Sequence, residues 1–346
     1  MRIALVTSSA PFVLGGARNI VAWLDEALRA AGHETETVSV PFDEAPDDLL
    51  AQTALFRMID LTDTADLVVC FRPPSFYVRH PRKVVWFIHH LRTYYDLWDT
   101  PLRGFPDTAV TRARRDVLRR ADARALGEAT RLFTNSGVMS ERLRHFNDLD
   151  SEVLYPPLSD TEGFVNLGYG DEVVAVSRLE NHKRQRLLVE ALGLTTTDVR
   201  LRLIGRGSTP DVAEGLRTLA RELGVGDRLH LDDSWMEEDE KREHIGRSLA
   251  CAYLPVDEDS YGYPTLEAAH SAKAILTTRD SGGVLEFVQD ARNGFVTEPT
   301  ARALAEAMDR LFADRSLAAE LGAAAERRVA DLDISWQHVV ERIVSA

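Results

Sequence analysis

Lysine is nearly absent from this chain. Of 41 basic residues only Lys83, Lys183, Lys241 and Lys273 are lysines. Cysteine is as scarce: Cys70 and Cys251 each sit inside an apolar run. Both therefore read as buried thiols in a reducing compartment, and two alone make no metal site. No stretch approaches the roughly twenty apolar residues of a membrane span. The first apolar run, "IALV", follows a single early Arg and reads as a strand, not as a secretory leader. The expected location is the cytoplasm. A dinucleotide G-x-G-x-x-G is also missing, since "GRGSTP" has Pro210 where its third glycine should stand. That argues against a nicotinamide-dependent dehydrogenase.

Positive charge is short overall. The net charge is −14, from 41 basic and 55 acidic residues, which argues against a nucleic-acid partner. The balance reverses over residues 103–145, with ten Arg against five acids. Such a stretch is either a solvated helix pair or a face toward an anionic acceptor or an anionic lipid, so peripheral membrane contact stays open.

What is present is α/β patterning, twice. A length of 346 residues implies two domains. Short β-branched runs, "RIALVTS", "ETETVSV", "ADLVVCF", "KVVWFIHH", "RLFTNS" and "SEVLYPPL", read as buried strands. Ile20, Val21, Leu24 and Leu28 fall at helical spacing between the first two. Residues 156–172 lose periodicity and read as a linker. The pattern restarts with the strands "EVVAVS", "VRLRLIG", "RLHLD", "ACAYLPV" and "AILTT", and with helices over 185–192 and 212–223. The stretch after Gly294-Phe295, "ARALAEAMDRLFADRSLAAELGAAAERRVA", is helical throughout. Alternating strands and helices give parallel sheets, whose ligands bind at the carboxyl ends of strands. With two such domains the expected site is a cleft between them.

Three places after strands carry suitable chemistry. Gly15 and Gly16 open the first helix, where a close backbone and a helix N-terminus suit an anion, although a helix-starting turn without a ligand reads equally well. Arg178 and Lys183 lie five apart in "SRLENHKRQ", two cations beside a helix start that suit a diphosphate. A lysine kept in an arginine-rich chain suggests a compact charge for phosphate. His89 and His90 end the strand "VVWFIHH" with Arg92 just beyond. No metal-ligand spacing is present, and "LDDSWMEEDE" reads as an acidic surface loop.

The densest pattern is "DEDSYGYPTLEAA". Gly262 permits a tight turn, Pro264, Thr265 and Leu266 enter a helix, and Asp259 and Glu267 stand eight apart around it. Free amides at a helix start suit a phosphate. Carboxylates would repel one, so theirs are sugar or ribose hydroxyls. A helix-cap reading accounts for Glu267 but not for Asp259.

Gly15-Gly16, "SRLENHK", "YGYPTLEAA", "SGGVLEFV", "NGF" and "ISWQHVVERI" together resemble the retaining GT-B-fold glycosyltransferases of family 4, over nearly the whole chain. The resemblance implies an α/β GT-B fold of two Rossmann-like domains facing across a cleft. Residues 1–158 would be the acceptor-side domain, 172–334 the nucleotide-sugar domain, and a last helix over 335–346 would pack back on the first. Glu267 would bind ribose hydroxyls, and Arg178 and Lys183, helped by Gly16 amides, the diphosphate. His89 would stand near the anomeric carbon, with His90 and Arg92 on the acceptor side. Backbone around Tyr261, Tyr263, Pro264, Thr265 and Leu266 would contact phosphate and sugar, while Gly205 and Asp232 would line the base. The family's E-x7-E pattern begins with Asp259 here. Glu258 is adjacent, and Ser260 reads as an extra residue that lets the shorter Asp259 reach the donor sugar.

The resulting expectation is a glycosyltransferase moving a hexosyl group from a nucleotide sugar to a hydroxyl acceptor, with retention. A UDP-sugar is favoured over a GDP-sugar, and no metal or other cofactor is required. The acceptor is a saccharide, a lipid-linked sugar or a small molecule. The rivals are a nucleotide-sugar epimerase of the same fold and a nucleotide-sugar-binding protein without turnover.

Overall fold

The computed structural model describes residues 1–10, 16–207 and 209–345. The chain forms two compact units, Met1–Pro157 with Ile334–Ala346, and Leu158–Asp333. The first unit runs β1 (Arg2–Ser9), α1 (Gly16–Ala30), β2 (Glu34–Pro41), α2 (Leu49–Met58), β3 (Leu67–Cys70), β4 (Lys83–Phe87), α3 (Ala109–Gly127), β5 (Arg131–Thr134), α4 (Gly137–Asn147) and β6 (Glu152–Val153). Its six strands are parallel, in the order β2-β1-β3-β4-β5-β6. β3 and β4 are buried along their whole length, as a parallel sheet covered on both faces requires. The stripe Ile20, Val21, Leu24 and Leu28 of α1 is buried, which is why that spacing folds as a helix on the sheet.

The second unit runs β7 (Glu172–Val176), α5 (Gln185–Leu192), β8 (Arg200–Ile204), α6 (Pro210–Glu222), β9 (Leu229–Asp232), α7 (Glu238–Arg247), β10 (Ala250–Ala252), α8 (Tyr263–His270), β11 (Ala274–Thr278), α9 (Val284–Phe287), β12 (Gly294–Thr297), α10 (Ala301–Ala313) and α11 (Arg315–Asp331). Its sheet is parallel as well, in the order β12-β11-β10-β7-β8-β9. One apolar core joins Leu188 and Leu192 of α5, Leu201 and Leu203 of β8, and Leu304, Met308 and Leu321 of the last two helices. The chain then returns to the first unit with α12 (Trp336–Val344). Ser335 caps it, accepting from the His338 amide at 3.1 Å, and Trp336 sets its ring edge against Trp86, centroids 6.4 Å apart.

Several sequence expectations need correction. The stretch after Gly294-Phe295 is helical as expected, and it divides into two helices. Asp314 ends α10, and its carboxylate accepts the Leu317 amide at 3.0 Å to start α11, an N-cap in the middle of a helical pattern. The strand "ACAYLPV" keeps only Ala250–Ala252. α2 and α7 carry no clear period and were not expected. Residues 158–171 are no free linker but a strap on the second unit. Phe164 is buried, the Gly170 amide donates to Arg247 O at 2.9 Å, and the Lys273 ammonium donates to Asn166 Oδ1 at 3.0 Å and Gly168 O at 2.5 Å.

Candidate functional site

The second sheet has one topological switch. From β7 the chain moves to β8 and β9 on one side, then returns to lay β10, β11 and β12 on the other. The loops after β7 and β10 therefore lie at the strands' carboxyl ends on either side of the switch, the place where such sheets bind ligands. Lys183 comes from the first loop, Tyr253 and Glu258 from the second. The Lys183 ammonium donates to the Tyr253 hydroxyl at 2.8 Å and ion-pairs with the Glu258 carboxylate. Tyr253 in turn donates to Glu258 Oε2 at 3.1 Å. Burial, then the Glu258 charge, holds the Tyr253 phenol well above its ordinary pKa, so it stays a donor. The Val256 amide closes the junction, donating to His182 O at 2.9 Å.

Two glycines shape these loops. Gly262 has φ of +73°, and a Cβ there would stand 2.3 Å from the Tyr253 ring. Only glycine lets the chain turn into α8 across that ring. Gly205, after β8, has φ of +148°, and its Cβ would meet Ser177 O at 1.9 Å. The Glu258 loop is held from the β11 side, where the Gly283 amide donates to Glu258 O at 2.8 Å and Asp280 O accepts the Asp257 amide at 3.0 Å. "SGG" thus sets the position of Glu258. Arg184 pins the facing loop to the same place through Asp280, at 2.7 and 2.5 Å.

Arg178 differs from Lys183. It is exposed, and its guanidinium makes no hydrogen bond or ion pair among the described residues. It is a cation open to an incoming anion, whereas Lys183 already faces a carboxylate. Of the two acids expected to read the donor sugar, Glu258 is the one against Lys183, and Asp259 is its half-buried neighbour. Ser260 is not an extra residue. Seven residues separate Asp259 from Glu267, the spacing the pattern itself prescribes.

Glu267 lies in the second turn of α8 and is not a terminal cap. It is 7% exposed. Oε1 accepts from the Lys241 ammonium of α7 at 2.8 Å, and Oε2 has no hydrogen-bond partner among the described residues. Burial raises the Glu267 carboxyl above its ordinary pKa, against the pull of Lys241. Burial works against the Lys241 charge as well, yet Glu267 and Glu238 hold its ammonium above the usual value. Glu267 Oε2 is thus a buried acceptor with its hydrogen-bonding capacity unused among the described residues. Sequence reasoning missed Lys241, although its membership in a set of four lysines was a usable signal. All four are lodged, with Lys83 side-chain exposure 1%, Lys183 11% and Lys241 16%, and Lys273 0%.

The remaining donor-side expectations fare unevenly. Tyr261 and Leu266 are core residues, and the Thr265 hydroxyl donates to Tyr261 O at 2.6 Å. Pro264 has no amide proton, and the Thr265 amide already bonds Gly262 O at 3.1 Å. The Asp232 carboxylate pairs with Arg202 at 2.7 Å. Its carbonyl accepts the Gly205 amide at 3.0 Å. No cluster of His, Cys, Asp and Glu suited to a metal ion occurs among the described residues.

In the first unit His89 and His90 separate. His89 Nδ1 meets His90 O at 2.8 Å, and a carbonyl only accepts, so Nδ1 carries the proton. His89 Nε2 accepts from Arg72 Nε at 3.3 Å. His90 is a core residue, contrary to its expected place beside the acceptor. It is 3% exposed, bonded through Nε2 to Asn147 Oδ1 at 2.8 Å and packed 4.1 Å from the Tyr95 ring. Burial pushes its pKa down to about 3. Arg92 is engaged locally, donating to Asp96 at 2.8 Å. Gly16 is the first residue of α1, while Gly15 lies outside the described residues. Most arginines of 103–145 are engaged within the unit. Arg103 and Arg115 lie over Trp98, Arg119 over Tyr95 and Phe146, and Arg131 pairs with Glu152. No helix among the described residues is long and apolar enough to cross a membrane.

Residues 169–328 match the family glycosyl transferases group 1. The chain is 27% identical to alpha-maltose-1-phosphate synthase of Mycolicibacterium smegmatis, covering 99% of this chain and 97% of that protein. It is 25% identical to the human alpha-1,3/1,6-mannosyltransferase ALG2, over 80% of this chain and 71% of that one. Among solved structures, Anabaena HepE in complex with UDP and glucose superposes with a TM-score of 0.70 at 17% identity, covering 99% of this chain and all of that one. With two parallel Rossmann-like sheets and these likenesses, the chain is a glycosyltransferase with the GT-B fold, whose residues 169–328 are similar to the group 1 family.

Proposed function

We propose that this enzyme transfers a hexosyl group from a nucleoside-diphosphate sugar to a hydroxyl acceptor with retention of configuration. The observation that carries the reading is the switch point of the second unit, where the Lys183–Glu258 pair joins the loops after β7 and β10, with exposed Arg178 on the first loop and the buried, half-satisfied Glu267 on the helix that follows the second. Arg178 and Lys183 hold the diphosphate and stabilise it as it leaves, the electrostatic term that dominates such reactions. Glu267 Oε2 accepts from a ribose hydroxyl. Glu258, with Asp259 beside it, reads the donor sugar. The anomeric C–O bond to phosphate breaks as the acceptor oxygen bonds on the same face, and the acceptor's proton passes to the leaving phosphate. Two cations meet the diphosphate charge, so no metal is required.

UDP is the favoured nucleotide, since HepE is a relative in fold that holds it. Both curated relatives are named for alpha linkages, the outcome of retention from an alpha-linked donor. The first unit takes the acceptor, with His89 near the anomeric carbon. The two buried free thiols, each pushed up to about 12 by burial, suit the cytoplasm. Neither the epimerase nor the turnover-free reading is favoured by these likenesses. A thermal-shift panel of UDP, GDP, ADP and dTDP sugars, followed by transfer assays with the one that stabilises most, tests the proposal. No shift with any nucleotide sugar overturns it.

A further inference from the structure

The first unit has its own switch point, because β1 is flanked by β2 on one side and β3 on the other. At the carboxyl end of β1 lies a cavity of about 320 Å³. Thr7, Ser8, Ser9, Thr37 and Ser39 line it, and at one side stands Arg72, which follows β3; the Thr7 and Ser8 hydroxyls are bonded to Ser8 O and Pro73 O. Arg72 is half-buried. It has five N–H donors, and only Nε is used among the described residues, toward His89 at 3.3 Å. Burial pulls the guanidinium below its ordinary pKa, against the opposing pull of the Glu44 charge. Arg18 of α1 lines the same cavity.

We propose that this cavity is the acceptor site and that Arg72 binds a phosphate on the acceptor, which makes the acceptor a phosphorylated sugar. The assignment of the acceptor to this unit rests on the function proposed above. The two free Nη groups of Arg72 match two oxygens of a phosphate, the bidentate geometry that favours arginine for such anions. Strands in a sheet lie about 4.8 Å apart, so Arg72 after β3 and Ser39 on β2 stand roughly 10 Å apart across β1. That separation admits a sugar ring between a cationic end and a hydroxyl-bearing end. Asp25 and Glu26 also line the cavity. Asp25 is already bonded by Arg29 at 3.0 Å and by the Thr35 hydroxyl, and acids at that end accept from sugar hydroxyls. Arg72 touches His89 as well, so the group that binds the acceptor's phosphate also fixes the histidine assigned to the reacting centre.

Calorimetry on the full chain tests this without any donor. Arg178→Ala/Lys183→Ala removes the two cations assigned to the diphosphate, and the dependence of inorganic phosphate binding on Arg72 in that background then reports the first unit. Phosphate binding should persist in that background. Adding Arg72→Gln should weaken it at least about tenfold, the loss set by a charge-assisted hydrogen bond, while Arg72→Lys, with the charge kept, should lose less. Glucose 1-phosphate or glucose 6-phosphate should bind this background more tightly than glucose does. No phosphate binding there, or binding indifferent to Arg72→Gln, overturns the site. Sedimentation with phosphatidylinositol vesicles in place of binding to free phosphate overturns the choice of a small sugar phosphate. Neither failure touches the donor site, whose cations are absent from the test.

Discussion

Lys183 and Glu258 meet across the switch point of the second unit, one from the loop after β7 and one from the loop after β10, with Tyr253 hydrogen-bonded to both. The cation assigned to the diphosphate is thus held by a carboxylate until ligand arrives. Glu258 competes with phosphate for Lys183. Glu258→Gln should therefore bind free nucleoside diphosphate several-fold more tightly, yet turn over nucleotide sugar more slowly because a sugar contact is lost. Titration of the nucleotide and steady-state kinetics on the same variant check both signs. Weaker nucleotide binding in Glu258→Gln would mean that the pair organises the site and does not gate it.

Gly262→Ala tests the turn that places Tyr253. Its new methyl would lie 2.3 Å from the Tyr253 ring at a φ of +73°, so the ring must move and the Lys183–Tyr253–Glu258 contacts with it. Strain of this kind costs about 1–3 kcal/mol. The melting temperature should drop and nucleotide affinity should fall together, in differential scanning and titration. A variant that melts lower but binds normally would separate Tyr253 from the site.

Lys241→Met leaves Glu267 buried without its cation. The folded-state pKa of Glu267 is already raised by burial and should rise further. A carboxyl whose folded pKa exceeds its unfolded value binds protons more tightly when folded, so stability falls as pH rises from the unfolded pKa to the folded one. The variant should be most destabilised at neutral pH and should recover on acidification. Lys241→Met/Glu267→Gln should regain much of the loss, because the unpaired charge is gone. Urea unfolding across pH reads this directly, and a deficit independent of pH would show that Lys241 acts only by packing.

His90 and Asp122 give opposite pH slopes within one network. Asp122 accepts from the hydroxyls of Tyr77 and Tyr95, each at 2.6 Å, and His90 packs on Tyr95. His90 is held down to about 3 from 6.5 by burial. Its contribution is full above about 6.5 and is lost as pH falls toward 3. Burial pushes Asp122 up to about 6 from 3.8. Its contribution is full below about 3.8 and is lost as pH rises through 6. Asp122→Asn removes only the second slope, so acidification from about pH 6 to 4 should destabilise the variant more steeply than the wild type. Unfolding midpoints over that range check it, and parallel curves would contradict the assignment.

Turnover should survive chelation. Arg178 and Lys183 supply the positive charge, and the described residues hold no metal-binding cluster. Activity abolished by EDTA and restored by magnesium or manganese would contradict this.

How far the sequence reached follows from what each signal encodes. Strand runs and the α1 stripe were legible because burial on a parallel sheet demands continuous apolar residues and helical period. Lys183, Glu258, Gly262 and Glu267 were legible because they sit just after strands, in a local pattern. Three things were not. Nothing local distinguishes His90 in the core from His89 beside Arg72, since the difference is made by Asn147 and Tyr95, far along the chain or across a turn. The Lys241–Glu267 pair joins α7 to α8, 26 residues apart. Asp314 could have been read as an N-cap, but the flanking alanine-rich sequence outweighed a single capping residue.

On the proposed function, the switch point of the second unit binds the diphosphate of a nucleotide sugar through Lys183. Titration calorimetry of UDP into wild type and Lys183→Ala tests it most directly, with Arg120→Ala on the other unit as a surface control. The loss of a charge-assisted contact, about 1.5–3 kcal/mol, should weaken UDP binding at least about tenfold in Lys183→Ala and leave the control unchanged. Equal affinity in Lys183→Ala and wild type would contradict the claim.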